Sequence, residues 1–146
     1  MRETMKKKNI WSMITDAGLK KTKIRMNIID LLEKSNRLLS AQDIYNNFYE
    51  KDDSMNLSTV YRTLEKLVEA KIINKIHLEQ ETQILYEFNH DEHHHFLICK
   101  SCNKITPIYG CPLHDYEKEL MKETGFMITS HKIEFYGYCI DCQKNM

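Results

Sequence analysis

Two short cysteine motifs constrain the fold of this 146-residue chain more than any other feature. Cys99 and Cys102 form one Cys-x-x-Cys pair, Cys139 and Cys142 form another, and residues 103–138 separate them. Two thiolates three residues apart can chelate one ion from a tight turn, and two such turns complete a tetrahedral zinc shell. The spacing therefore predicts a closed four-cysteine zinc site that ties together distant parts of the chain.

Two other interpretations of the cysteine pairs are open. Structural disulfides would need an oxidising compartment. The basic start of the chain, Met1–Lys8, leads into no apolar segment of the kind that a secretory signal requires. We therefore expect a cytoplasmic protein with reduced thiols. A thioredoxin-like redox motif needs one pair at the start of a helix that follows a strand, whereas both pairs here are predicted in short turns. Zinc is the favoured interpretation.

Histidines form a second group of potential metal ligands. His93, His94 and His95 precede the first cysteine pair, and His131 precedes the second. If Glu92–Cys99 is a strand, His93 and His95 point to one face and His94 to the other. The segment 127–135 also alternates, which predicts a strand with Met127, His131, Ile133 and Phe135 inward and Ser130, Lys132 and Glu134 outward. A His-x-His pair and an inward histidine could form a transition-metal site, although a single inward histidine is more often a hydrogen-bonded core residue.

Residues 1–88 contain amphipathic helices followed by a hairpin. Apolar residues recur at helical spacing in Thr22–Lys34, in a helix for which Ser40 is a good N-cap, and in a third helix after Lys51–Ser54. The predicted inward positions are Ile24, Ile28, Leu31, Leu32, Ala41, Ile44, Tyr45, Phe48, Val60, Leu64, Leu67 and Val68. The segments Ile72–Leu78 and Ile84–Phe88 flank a polar turn, as in a two-stranded hairpin. This order predicts a winged helix-turn-helix, in which a late helix enters the DNA major groove.

Charge and hydropathy limit the class of partner. The whole chain is neutral, with 21 Lys+Arg against 21 Asp+Glu. Residues 1–25 nevertheless hold eight basic residues against Glu3 and Asp16; the basic residues are Arg2, Lys6, Lys7, Lys8, Lys20, Lys21, Lys23 and Arg25. Phosphate contacts need such a local excess, although a charged run is more often a solvated face. The apolar runs are too short for a membrane span of about 20 residues.

The second half of the chain is predicted to form a small α/β domain. Pro112 lies where a helix could begin, and Gly125 lies where it could end. The apolar face of this helix would comprise Leu113, Tyr116, Leu120 and Met121. Strands are predicted on both sides of it, which gives a βαβ-type unit with open sheet edges. Pairing with a second copy would cover such an edge, so we expect a homodimer.

Five motifs occur in a fixed order along the chain. They are Gly18–Arg25, Ser40–Tyr45, Leu57–Leu64, Glu87–Cys102 and His131–Cys142. Through them, nearly the whole chain resembles the ferric uptake regulator (Fur) superfamily. The resemblance implies an α+β chain with an N-terminal winged-helix DNA-binding domain over 1–88, a hinge to about residue 92, and a C-terminal dimerisation and metal-binding domain over 93–146. It implies a homodimeric, metal-responsive repressor that binds double-stranded operator DNA and is not an enzyme.

The resemblance also assigns metal ligands. The four paired cysteines become the structural zinc site, and His93, His95 and His131 become a regulatory site between the domains. The remaining position of that site, usually acidic, aligns with His114. Because imidazole suits zinc well, zinc is the favoured co-repressor and iron the alternative.

Two further features depart from the pattern of the family. A second hinge site would use Glu87 and His94, but other usual ligands are missing, so we expect that site to be impaired or rebuilt. Cys111, followed by Pro112, resembles a Cys-Pro motif of some zinc uptake regulators in the superfamily. A buried free thiol is the favoured interpretation of Cys111, because free cysteines are commonly buried.

On the DNA side, the resemblance assigns a base contact to Tyr61, whose ring would meet a thymine methyl group. It assigns backbone contacts to Ser58, Thr59 and Arg62, and phosphate contacts to Lys20, Lys21 and Arg25. A solvated basic helix start is the alternative for the last three.

Three other functions compete with the repressor. A peroxide sensor of the same family needs carboxylates beside oxidisable histidines at an iron site. A zinc hydrolase or deaminase needs an open coordination position, and neither a His-Glu-x-x-His nor a deaminase signature occurs. A zinc storage or carrier protein would explain the thiols and imidazoles but not the helix over Ser58–Leu64 or the basic start.

Overall fold

The computed structural model describes residues 10–53 and 55–146 of the chain. It divides into two compact units, Met1–His90 and Asp91–Met146. The basic residues Arg2, Lys6, Lys7 and Lys8 lie outside the described residues. No helix in the described ranges is both long enough and apolar enough to span a bilayer.

The described residues of the first unit form four helices: α1 over residues 10–16, α2 over Lys23–Lys34, α3 over Ala41–Phe48 and α4 over Leu57–Glu69. Side chains cap three of them, because Thr22, Ser40 and Asn56 each accept a hydrogen bond from a backbone N–H of the first turn. The Ser40 cap is a capping box completed by Asp43, as the sequence predicted in part. The helices bury their apolar stripes in one core, with Ile14, Ile28, Ile44, Val60, Leu64 and Leu67 fully buried.

A three-stranded antiparallel sheet completes the first unit. Its strands are β1 (Leu39–Ser40), β2 (Ile73–Ile76) and β3 (Leu85–Phe88), in the order β1-β3-β2. The predicted hairpin is therefore confirmed as β2 and β3. The sequence predicted neither α1 nor β1, whose described residues are too few to carry a clear periodic signal.

The second unit is a three-stranded sheet with a helix in its crossover. The strands β4 (His94–Cys99), β5 (Ile105–Tyr109) and β6 (Glu134–Gly137) have the order β5-β4-β6, with β6 parallel to β4. The crossover contains α5 (His114–Thr124), and a short α6 (Ile140–Gln143) follows β6. Gly125 ends α5 in a left-handed conformation, φ 74°, as predicted.

The predicted strand over 127–135 is wrong in most of its length. Residues 125–133 are irregular, and β6 begins only at Glu134. The predicted faces are wrong at three positions, because Met127 and Phe135, predicted inward, are 84% and 51% exposed, whereas the Glu134 side chain, predicted outward, is 7% exposed. His131 and Ile133 are half-buried and Ser130 and Lys132 are exposed, as predicted. The buried carboxylate of Glu134 pairs with Lys132 Nζ at 2.5 Å and accepts a hydrogen bond from the Tyr136 hydroxyl. Those two partners offset the cost of burying a charge that the alternation had placed in solvent.

Candidate metal centres and nucleic-acid interface

The ends of β4 and β6 bring the two cysteine pairs together. Cys99, the last residue of β4, is in register with Gly137, and the Lys100 N–H donates to the Gly137 carbonyl at 2.8 Å. The four Sγ atoms of the Cys-x-x-Cys pairs, here called the four-cysteine group, all lie within 4.8 Å of one another. The Sγ atoms of Cys102 and Cys139 are 3.8 Å apart, and the S···S separation in a tetrahedral zinc site of four sulfurs is also about 3.8 Å. The spacing of this group fits zinc.

The chemistry of the group favours a metal over disulfides. All five cysteines are free, and an S···S distance of 3.8 Å is far beyond the S–S bond length of about 2.05 Å. Backbone N–H groups of Cys102 and then Cys139 lower the pKa of the Cys99 thiol to about 6. The Ser101 hydroxyl lowers the pKa of Cys142, but neighbouring thiols outweigh it and raise that pKa to about 12. Because the thiolate is the form that binds metals, the environment of Cys99 favours its ligand state.

A second group combines three imidazoles with one thiol. It comprises His93, His95, Cys111 and His131, whose ligand atoms also lie within 4.8 Å of one another. His131 Nε2 is 2.8 Å from His93 Nε2, 3.2 Å from His95 Nε2 and 3.1 Å from Cys111 Sγ. In a tetrahedral zinc site the corresponding separations are about 3.3 Å for N···N and about 3.6 Å for N···S. The 3.5 Å between His95 Nε2 and Cys111 Sγ matches the second value.

One nitrogen at the centre of this group has more neighbours than a hydrogen bond can satisfy. His131 Nδ1 is paired with a carboxylate oxygen of Glu117, and an ionised carboxylate can only accept, so this contact favours the tautomer with its proton on Nδ1. Nε2 of a neutral His131 then has a single lone pair, yet three potential ligand atoms converge on it. A cation at the common centre would satisfy all four atoms at once.

His95 is the most buried member of the group, at 3% exposure. Burial, followed by the neighbouring imidazoles of His93 and His131, lowers the pKa of His95 below its ordinary value. The neutral form is the one that binds metals, so the environment of His95 favours its ligand state. The predicted common face of His93 and His95 is also observed, since their ring centroids are 4.6 Å apart.

The structure corrects the expectation for Cys111. The sequence favours a buried free thiol; Cys111 is free, but it is only half-buried and it contacts two imidazoles. His114 does not join the converging ligand atoms. It is exposed at the first residue of α5 and lines an open cavity of about 590 Å³ beside the group. Glu117, on the wall of the same cavity, was not singled out from the sequence, which carries no local signal for it.

The residues predicted for a second hinge site have other neighbours. Glu87, on β3, accepts a hydrogen bond from the Asn74 side chain on the paired strand β2, at 3.2 Å. His94 Nδ1 lies 2.9 Å from the Glu92 carbonyl oxygen, and its ring packs against Phe96. Within residues 10–53 and 55–146, neither Glu87 nor His94 belongs to a group that could hold a metal.

The predicted DNA-contacting side chains of α4 share its outer face. Ser58, Tyr61 and Arg62 are exposed, and Tyr61 is 47% exposed. Thr59 is half-buried, and both its N–H and its hydroxyl bond to the Asn56 side chain, at 2.8 and 3.0 Å. The opposite face of α4 is packed in the core, as predicted. A helix that is anchored in the core by one face and exposes aromatic and basic side chains on the other is suited to the major groove.

The basic residues near α2 have neighbours inside the unit. The Arg25 guanidinium donates to the Lys20 carbonyl at 2.7 Å, and Lys21 Nζ lies 4.0 Å from the ring centroid of Trp11. These contacts hold two long side chains at the start of α2, where the backbone N–H groups and the helix dipole also favour anions. The arrangement is compatible with phosphate contacts.

Comparison with known proteins agrees with this architecture. A family model described as the ferric uptake regulator family matches residues 16–136. The ferric uptake regulation protein of Neisseria gonorrhoeae is 32% identical over 133 residues, which cover 90% of this chain and 92% of that protein. The chain belongs to the ferric uptake regulator family. The Escherichia coli K12 ferric uptake regulation protein is 30% identical over 132 residues, which cover 88% of each chain.

Solved structures of the Fur family extend the match to three dimensions. The ferric uptake regulator of Helicobacter pylori, described as having three functional metal-binding sites, superposes with a TM-score of 0.78 at 27% identity. The match covers 98% of this chain and 94% of that one. A zinc-bound manganese uptake regulator superposes with a TM-score of 0.70 at 26% identity, covering 88% of this chain and 97% of that one. As a Fur-family protein, the chain is a metal-responsive transcription regulator and not an enzyme.

Proposed function

We propose that this Fur-family regulator is a zinc-responsive repressor of metal-homeostasis genes, and that His93, His95, Cys111 and His131 form its sensory zinc site. The observation that supports this proposal most directly is the donor set, one thiol and three imidazoles. Thiolate and imidazole suit zinc, whereas carboxylate and water suit manganese and magnesium, and non-haem iron typically takes two histidines and a carboxylate. The substitution of sulfur for a carboxylate ligand therefore favours zinc over iron.

The four-cysteine group would hold a structural zinc ion. Four thiolates leave no open position, which is typical of sites that stabilise a fold and do not exchange metal as a signal. This group joins the ends of β4 and β6 to the α6 segment. Its role in the proposal is to maintain the unit that carries the sensory site.

The proposed switch couples metal binding to the chain between the two units. All four sensory residues belong to Asp91–Met146, and His93 follows the boundary with the first unit by only two residues. Ligation would hold His93 against three groups from β4, the segment after β5 and the segment before β6. Ligation would thereby restrict the chain that connects the two units. If the restricted chain favours the arrangement that binds DNA, metal binding raises the affinity for DNA, and the size of this effect is the coupling free energy between the two ligands.

The second unit also offers a surface for a homodimer. Leu97 on β4 and Phe135 on β6 are in register, and they are 47% and 51% exposed. Two large apolar side chains side by side on one face, next to an edge strand, are suited to a self-complementary interface. A dimer would present two copies of α4 to two half-sites of a palindromic operator.

The α4 face would read the operator. Tyr61 would contact a base edge, with Ser58, Thr59 and Arg62 on the neighbouring backbone, while Lys20, Lys21 and Arg25 would contact phosphates. Because Thr59 is already bonded to Asn56, its phosphate contact would require that side chain to rearrange.

Iron sensing is the second candidate, because the similar curated relatives are named ferric uptake regulation proteins. A metal titration separates the two. Protein with a filled four-cysteine group and an emptied sensory site is titrated with Zn²⁺ and, without oxygen, with Fe²⁺. DNA duplexes are first selected from a random pool, once with the Zn²⁺-loaded protein and once with the Fe²⁺-loaded protein. The affinity of the protein for the selected duplexes is then measured at a fixed salt concentration during each titration.

We expect specific DNA binding to saturate at a lower free concentration of Zn²⁺ than of Fe²⁺. The stimulation should be lost in His93→Ala and His131→Ala. A stronger response to Fe²⁺ would make iron the effector. Metal-stimulated binding retained by both variants would contradict the assignment of the sensory site.

A further inference from the structure

We infer that Glu117 is a positioning residue for the sensory site: its carboxylate holds the His131 ring with Nε2 toward the metal. The inference rests on the proposed function, because it requires a metal at the group of His93, His95, Cys111 and His131. Glu117 itself is not one of the converging ligands.

Glu117 and His131 form a hydrogen-bonded pair in a partly shielded place. A Glu117 carboxylate oxygen is paired with His131 Nδ1, and the two side chains are 21% and 18% exposed. The carboxylate can only accept, so it selects the form of the ring that is protonated on Nδ1. The lone pair is thereby left on Nε2, the atom that approaches His93, His95 and Cys111.

His131 needs such a partner more than His95 does. His95 lies within a strand whose backbone hydrogen bonds fix its direction, whereas His131 lies in the irregular segment 125–133. Its ring orientation therefore depends on side-chain contacts. Glu117 can supply one because α5 is regular, and the Glu117 N–H is itself bonded to the Leu113 carbonyl at 2.8 Å.

The start of α5 links Glu117 to the thiol ligand as well. The Leu113 N–H lies 3.4 Å from Cys111 Sγ and donates to it. One short stretch of chain thus stabilises a thiolate at Cys111 and carries the carboxylate that orients His131. A ligand and its orienting partner would then move together as the site loads.

The charge balance of a loaded site supports the same role. A divalent cation with one thiolate and three neutral imidazoles has a net charge of +1. The Glu117 carboxylate brings the total to zero, which lowers the cost of holding the cation in a partly buried place. Carboxylates bonded to a ligating histidine commonly act in this way, and their loss costs about 10–100-fold in metal affinity.

The test compares three variants on the same helix. Zn²⁺ affinity of the sensory site is measured by chelator competition in Glu117→Ala, Glu117→Gln and Glu119→Ala, each with the zinc of its four-cysteine group in place. Glu119 is an exposed glutamate two positions away and matches the change in charge and size. We expect about a 10–100-fold loss for Glu117→Ala, a smaller loss for Glu117→Gln, whose amide oxygen still accepts, and no change for Glu119→Ala.

A second measurement shows directly which nitrogen of the His131 ring carries the proton. In metal-free protein at about pH 9, above the ordinary histidine pKa, ¹⁵N NMR of the imidazoles distinguishes protonated Nδ1 from protonated Nε2. We expect His131 to carry its proton on Nδ1 in the wild type and to become a mixture in Glu117→Ala. A role limited to helix stability would not change this ratio.

Three results would overturn the inference. Equal Zn²⁺ affinity in Glu117→Ala and Glu119→Ala would remove the positioning role and leave the sensory site intact. A His131 proton on Nε2 in the wild type would do the same. Failure of the wild type itself to bind a second equivalent of Zn²⁺ would instead refute the proposed function, and the inference with it.

Discussion

The Sγ atom of Cys111 lies 3.1 Å from Nε2 of His131, although the two residues are 20 positions apart in the chain. This contact places a sulfur atom beside the imidazoles of the sensory group. His114, which the family resemblance put in the fourth ligand position, is exposed at the start of α5. Substitution of Cys111 and substitution of His114 should therefore have different effects on the Zn²⁺ affinity of the sensory site.

Replacing Cys111 with serine should weaken Zn²⁺ binding at the sensory site by more than about 100-fold. Loss of a residue that is only hydrogen-bonded to a ligand costs up to about 100-fold, and loss of a ligand itself should cost more. His114→Ala should bind Zn²⁺ as the wild type does. Chelator competition on protein with a filled four-cysteine group measures both. Normal affinity in Cys111→Ser with a large loss in His114→Ala would restore the four-imidazole site.

Replacing Cys99 should have a different effect, because structural zinc contributes directly to folding. Apparent binding free energies of about 10–16 kcal/mol are typical of such sites. Cys99→Ser should lose one zinc per chain and lower the thermal unfolding midpoint, as measured by elemental analysis and circular dichroism. Cys111→Ser is the matched control and should keep that zinc. An unchanged zinc content and midpoint in Cys99→Ser would contradict the structural role.

Local spacing in the sequence predicted much of the fold. The stripes of α2, α3 and α4, the Ser40 cap and the Gly125 helix end all depend on residues within a few positions of one another. The convergence of the cysteine pairs was also predictable, since four identical ligands with that spacing suit one zinc ion.

Contacts that depend on the path of the chain were not predictable in this way. Cys111 reaches His131 only because the turn after β5 and the segment before β6 meet, and no periodic pattern encodes that meeting. The reversal of Glu134 and Phe135 has a similar origin. The inward and outward alternation of a strand does not apply to residues 125–133, because they are irregular. The burial of Glu134 depends on its contacts with Lys132 and Tyr136.

DNA recognition is tested by two substitutions with distinct signatures. Tyr61→Ala should weaken binding to a selected operator by about 1–3 kcal/mol and relax the preference at one base position. Lys20→Ala should weaken binding to all sequences alike and reduce the slope of log affinity against log salt by about 1. Fluorescence anisotropy over a series of salt concentrations measures both effects.

Tyr49→Ala is the control for Tyr61→Ala, because Tyr49 is also an exposed tyrosine of the first unit, at 46% exposure. It is the C-cap residue of α3 and not part of α4, and its ring stacks on Tyr45. If Tyr49→Ala and Tyr61→Ala weaken operator binding equally, α4 is not the reading helix.

The proposed dimer surface predicts that a charge at its centre is not tolerated. Leu97→Glu and Phe135→Glu should each convert the dimer to a monomer in sedimentation velocity, since each would place an unpaired carboxylate in an apolar interface. Met127→Glu is the control, because Met127 is 84% exposed and lies outside both sheets. A dimer retained by both Leu97→Glu and Phe135→Glu, with their zinc content normal, would place the interface elsewhere.

The most direct measurement of the sensory site is cobalt X-ray absorption on protein that holds zinc in the four-cysteine group and Co²⁺ in the sensory group. Cobalt replaces zinc in tetrahedral sites of nitrogen and sulfur ligands, and the cobalt edge reports only the sensory metal. We predict a shell of three nitrogens and one sulfur, with the sulfur lost in Cys111→Ser. A shell of nitrogen and oxygen alone in the wild type would contradict the proposed zinc sensor.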